Sequence, residues 1–98
     1  MVFDIHEIKG LGGFSEKKQK GDLLYIVNER VFLVVHKNTI EVRTDEKLRD
    51  VLCKRYESIM KSRYFGKGGI EVVMSGQLMD GEVQDLVQLS YNLTKNLS

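Results

Sequence analysis

The chain has 98 residues, 42% of them apolar and 30% charged, with 15 lysines and arginines against 14 aspartates and glutamates. That composition supports one hydrophobic core in a single domain over residues 1–98, excludes a disordered chain, and lacks the strong positive balance of a dedicated basic protein. No apolar run approaches the roughly 20 residues of a membrane span, Met1-Val2-Phe3-Asp4 carries neither region of a signal peptide, and the lone Cys53 rules out an internal disulfide, so a reducing cytoplasm is expected.

In chain order, Phe3 and Ile5 alternate with Asp4 and His6, which predicts a short opening strand. Gly10, Gly12 and Gly13 break it, but Gly10-Leu11-Gly12-Gly13-Phe14-Ser15 matches neither phosphate-loop pattern and reads as a turn. Ser15 to Gly21 is polar throughout and reads as a mobile loop. Three strands follow, Leu23–Val27, Val31–Val35 and Thr39–Arg43, separated by the polar breaks Asn28-Glu29-Arg30 and His36-Lys37-Asn38. Such short breaks favour an antiparallel meander. In the third strand Ile40 and Val42 are expected to point inward, with Thr39, Glu41 and Arg43 outward.

Thr44-Asp45-Glu46 supplies a cap and first-turn acid for a helix over Asp45–Ile59, with Leu48, Val51, Leu52, Tyr56 and Ile59 as its buried stripe and Asp50–Lys54 as an i, i+4 pair. The aromatic and glycine-rich run Tyr64-Phe65-Gly66-Lys67-Gly68-Gly69 leads into a fourth strand, Ile70–Met74. After the turn Ser75-Gly76-Gln77, Asp80 is the expected N-cap of a helix over Gly81–Leu97. Val83, Leu86, Val87, Leu93 and Leu97 mark its apolar face. Leu48, Leu52, Leu86 and Leu93 are therefore predicted core residues.

The two signs of charge are segregated. Residues 9–20 carry Lys9, Lys17, Lys18 and Lys20 against Glu16 alone, and residues 43–67 carry eight basic side chains against four acidic ones. The last thirty residues are acidic, with Glu71, Asp80, Glu82 and Asp85 against Lys95. No catalytic constellation emerges. His6 and His36 lie far apart without metal-ligand spacing, Cys53 has no histidine near it, and Asp45-Glu46 is explained by the helix start. Ser90 and Tyr91 read as packing residues with a satisfied hydroxyl. The expectation is a domain without enzymatic activity, cofactor or metal.

The succession Tyr64-Phe65-Gly66-Lys67-Gly68-Gly69-Ile70-Glu71-Val72 and Leu89-Ser90-Tyr91-Asn92-Leu93, set behind the meander and an acid-capped helix, resembles the YjbR/MmcQ family over roughly residues 22–97. The Gly-Gly-Phe near the start is similar to the related amino-terminal domain of TfoX-type competence regulators. The resemblance implies an α+β, frataxin-like fold and a DNA-binding role through paired β wings. Two departures stand out: there is little room for the family's longer helix before the first strand, and Ile70 occupies a position where members often carry tryptophan.

From residues and resemblance together, the expected fold is α+β, an antiparallel sheet of four or five strands with both helices on one face. The expected function is DNA binding by Lys17, Lys18, Lys20, Arg30, Lys37, Lys61, Arg63 and Lys67, basic groups on turns and loop exits, with Tyr64 and Phe65 as stacking candidates. The alternative is a protein-interaction module. On that reading the nearly continuous apolar strands Leu23–Val27 and Val31–Val35, uncovered on the helix-free face and flanked by a short N-terminus, bury themselves in a homodimer.

Overall fold

The computed structural model describes residues 5–74 and 78–97. Six antiparallel strands form one sheet: β1 Ser15–Gln19, β2 Asp22–Val27, β3 Arg30–Val35, β4 Thr39–Arg43, β5 Ile59–Lys61 and β6 Gly69–Val73, in the spatial order β1-β2-β3-β4-β6-β5. Helices α1 Glu46–Arg55 and α2 Asp80–Lys95 both lie on one face, α1 over β5 and β6 and α2 over β2, β3 and β4. The α+β class, the meander and the placement of the helices are as expected; the sheet has one or two more strands.

The two additional strands have different origins. Ser15–Gln19, expected as a mobile loop, pairs with β2 along its whole length although all five residues are exposed. Its turn explains the pairing. Lys20 and Gly21 both have positive φ, 51° and 86°, the requirement of a two-residue hairpin turn whose twist matches the strands. At the other edge, α1 stops at Arg55 rather than Ile59, and Ile59 opens β5 against Val72. Asp45 caps α1 by accepting from Leu48 N at 2.7 Å. The expected Asp50–Lys54 pair gives way to Arg49, which holds Asp50 at 2.8 Å. In α2 the cap lies one residue earlier than expected, with Glu82 reaching back to Met79 N at 3.1 Å. The turn Ser75-Gly76-Gln77 and the expected strand at Phe3 fall outside the described residues, while Ile5–Glu7 forms a short 3-10 turn.

The core between sheet and helices contains Tyr25, Phe32, Leu33, Ile40, Val42, Ile70 and Val72 from the strands and Val83, Val87 and Tyr91 from α2. Residues 5–14 cover one flank of the core: Ile5 and Ile8 are buried, Phe14 packs against Tyr25 and Phe32, and Tyr91 Oη donates to Gly12 O at 2.5 Å. The four leucines expected in the core are only half-buried. Val51 and Leu97 of the expected stripes are exposed. The face of α2 that meets the sheet is instead Val83, Val87, Ser90, Tyr91 and Thr94.

Hydroxyl groups belong on that face because the sheet is split beneath it. Phe32 is an extra residue in β3, since Tyr25 faces Leu33 while Ile26 faces Val31. This bulge turns Phe32 toward Tyr91, with ring centroids 5.4 Å apart, and the β3–β4 ladder ends at Leu33–Val42. Ser90 fills the gap, donating to Phe32 O at 2.5 Å and accepting from Arg43 N at 2.7 Å. One turn on, Thr94 Oγ1 accepts from Arg43 Nε, whose Nη2 donates to Val31 O at 3.0 Å. Ser90→Ala should strand the Arg43 N–H and Phe32 C=O in the interior, costing about 1–3 kcal/mol for each unpaired group. Urea denaturation should show the loss as a lower midpoint with an unchanged m-value.

Candidate nucleic-acid interface

The helix-free face of the sheet is polar at its centre and closed on one side by a loop. Strand alternation and register bring Lys17, Gln19, Asp22, Leu24, Val34, Thr39, Glu41, Glu71 and Met60 to this face. Glu41 and Glu71 stand directly opposite each other on β4 and β6, and both are buried, with 1% and 4% exposure. The expectation that Glu41 faces solvent is thus corrected, because residues 62–65 fold back over it. Ser62 Oγ and Tyr64 N both donate to Glu41 Oε1, at 2.7 and 2.8 Å, and Ser62 Oγ in turn accepts from Phe65 N at 2.8 Å. Arg63 grips Glu71 with two bonds of 2.9 and 2.8 Å, and Thr39 Oγ1 adds a third at 2.7 Å. Phe65 lies over Gly69, where a Cβ would meet the Phe65 Cβ at 2.5 Å, and the Arg43 guanidinium stacks on its ring at 4.9 Å.

His36 completes the cluster. Its Nδ1 is 3.0 Å from Asp22 Oδ1 and its Nε2 is 2.6 Å from Glu41 Oε2. A ring nitrogen facing a carboxylate must carry a proton to form a bond, so two such contacts select the imidazolium. Asp22 directly follows the β1–β2 turn, and His36 opens the turn between β3 and β4. The imidazolium therefore ties the two hairpins together at one end of the sheet.

The basic residues expected to bind DNA divide into two sets. Lys17 lies on the helix-free face by its register, Lys20 lines a depression there, Arg63 reaches it through Glu71, and Lys37 sits in the β3–β4 turn beside His36. Gln19, Lys20, Asp22, Leu24, Val34, His36 and Tyr64 enclose a shallow depression of about 110 Å³ there. Tyr64 is 52% exposed above it, whereas Phe65 is half-buried. Lys18 pairs with Leu23 and points to the opposite face. Arg30, Lys61 and Lys67 lie at the far end of the sheet, at the β2–β3 turn, the end of β5 and the approach to β6. Sequence reasoning missed the Asp22–His36–Glu41 and Arg63–Glu71 pairings. The available signal was two glutamates, Glu41 and Glu71, each set between apolar residues in a central strand.

Burial works against charge on His36, but its bonds to Glu41 and Asp22 outweigh that and raise its pKa. For Glu41, burial pushes upward, and donation from Tyr64 N, His36 and Ser62 prevails and lowers the pKa. The signs define a window. The contribution of His36 is complete below its ordinary 6.5 and is lost as pH rises through the raised value. That of Glu41 is complete above its ordinary 4.5 and is lost as pH falls through the lowered value. Stability should therefore decline as pH rises from 6.5 through the raised His36 value and level off above it, and His36→Gln should abolish that decline. Chemical denaturation at a series of pH values, with NMR titration of the His36 ring, checks both.

No family model and no curated protein matches the chain. Among solved structures, a protein from Pseudomonas syringae determined by a structural genomics consortium is similar, with a TM-score of 0.75 at 16% identity. The alignment covers 92% of this chain and 94% of that one. At that identity the likeness shows the fold alone. Among the described residues, no group of three or more His, Cys, Asp or Glu side chains could hold a metal ion, and no helix is long and apolar enough to cross a membrane.

Proposed function

We propose that the helix-free face binds the phosphate backbone of nucleic acid through two lysine-bearing hairpin turns. The observation that carries this reading is that Lys17 by its register and Lys20 beside the exposed Tyr64 lie on this face, whose carboxylates already have partners, with Lys37 in the neighbouring β3–β4 turn. Glu41 and Glu71 are buried and bonded, and Asp22 is held by His36. Phosphates approaching this face meet the lysines, while its carboxylates are held by His36, Arg63 and neighbouring hydroxyls. With neighbouring strands about 4.8 Å apart, the two turns sit roughly 10 Å from each other, a span compatible with contacts to separate phosphates. Tyr64 offers a ring for stacking where a strand is single.

The resemblance to the YjbR/MmcQ family, with its paired wings, points the same way. A protein-interaction role through this face has less to work with, since Leu24 and Val34 are buried there. Catalysis has less still. Both His36 nitrogens are engaged by carboxylates, leaving no lone pair for a base, and Ser62 is buried and bonded to Glu41. We read the domain as a cytoplasmic binding module without chemistry of its own.

Fluorescence anisotropy with a short duplex at low salt tests the proposal. Binding should weaken with salt at a log–log slope of about −0.9 per phosphate neutralised. Lys17→Gln, Lys20→Gln and Lys37→Gln should each reduce that slope by about one unit and weaken all sequences alike. Lys61→Gln and Lys67→Gln should leave it unchanged. Absence of binding at ~100 μM, the weak end of non-specific affinity, refutes the proposal.

A further inference from the structure

On the opposite side of the molecule the two helices do not close against each other. Between them runs an open groove of about 280 Å³, walled by Leu48 and Leu52 of α1 and Leu86 and Leu89 of α2. Glu82 and Asp85 are its charged lining residues, both on α2. Three of them, Leu48, Leu52 and Leu86, are leucines that the sequence pattern assigns to a core and the structure leaves half-buried. Their apolar surface continues past the groove, because Val51, three residues from Leu48 on α1, is 59% exposed. Lys47 and Lys54, four residues before Val51 and three after it, flank it on the same side of the helix, and both are exposed.

The chain thus carries both halves of a contact: an apolar groove with an acidic rim, and an apolar knob with lysines on either side. We infer that this helix layer is a self-complementary interface, in which Val51 of a second copy enters the groove and its Lys47 and Lys54 meet Glu82 and Asp85. A two-fold axis satisfies the geometry, since α1 of each copy then lies over the groove of the other and every contact is made twice. The result has an apolar centre and a charged rim, the usual anatomy of a specific interface. It is independent of the nucleic-acid reading. The sheet face remains open in both copies and points away from the shared surface.

Sedimentation equilibrium from about 10 μM to 1 mM, the range of a weak association, should show a mass rising toward twice the 11.3 kDa of the chain. Val51→Glu, at an exposed position, should weaken association by about tenfold or more. Two further variants test the charge match, with circular dichroism confirming their fold. Lys47→Glu with Lys54→Glu reverses the knob, and Glu82→Gln with Asp85→Lys reverses the rim while keeping the capping side chain that reaches Met79. Each alone should be monomeric, and an equimolar mixture should recover the dimer. A wild type that stays at the monomer mass overturns the inference. So does a dimer indifferent to Val51→Glu, or folded variants that fail to pair when mixed. A monomer whose Leu86 and Leu89 resonances shift on addition of a Leu/Lys amphipathic peptide assigns the groove to a different protein and equally overturns it.

Discussion

Two carboxylates stand side by side on neighbouring strands in the middle of this sheet. Unpaired, Glu41 and Glu71 would repel each other, and each would bear the cost of leaving water. The rest of the helix-free face is arranged to prevent both. Glu41 takes bonds from an imidazolium, a hydroxyl and a backbone amide, and Glu71 takes a bidentate guanidinium and a second hydroxyl. Four of those donors come from residues 36 and 62–64, which would otherwise be loop with no reason to adopt one conformation. The carboxylates therefore act as anchors: they draw the 62–65 loop down onto the sheet and tie the two lysine-bearing turns into a fixed relation. A buried ion pair need not add stability. Its effect here is on specificity, because a carboxylate accepting three donors tolerates few alternative loop positions.

The helix face meets a similar demand with neutral groups. The Phe32 bulge puts an aromatic ring into the core at the expense of ladder bonds between β3 and β4, and Ser90, Thr94 and Arg43 restore the lost partners. This also sets the rotation of α2. With Ser90 and Thr94 directed into the split, Leu86 and Leu89 are turned to the flank. The open groove is thus a consequence of the bulge, transmitted through one helix.

Much of the framework was legible from sequence. The Val- and Ile-rich runs of β2, β3, β4 and β6 and the Asp45 cap of α1 carry local signals strong enough to survive without tertiary context. What escaped had a physical reason in each case. Ser15–Gln19 is exposed on both sides, so it has no alternation, and only its turn conformation marks it as a strand. Ile59 lies three residues after Tyr56, which prolongs the helical spacing across what is a break into β5. The α2 stripe was read by hydrophobicity, and hydrophobicity gives no weight to Ser90 or Thr94, both fully buried. Of the basic site, the lysines were visible individually; their division between the two ends of the sheet depends on register, which composition does not encode.

The first strand has one more consequence. β1 is an edge, and its outer row of amide and carbonyl groups is open to pairing with any extended chain, a route to aggregation that proteins commonly block with charge. Lys17, Lys18 and Glu16 stand along that row as gatekeepers, while the edge at β5 is protected by being only three residues long. Gatekeeping is indifferent to the sign of the charge, whereas a phosphate is not. Glutamate in place of Lys17 would keep the edge guarded and repel a polyanion, so protection of the edge and the proposed binding are separable by charge reversal.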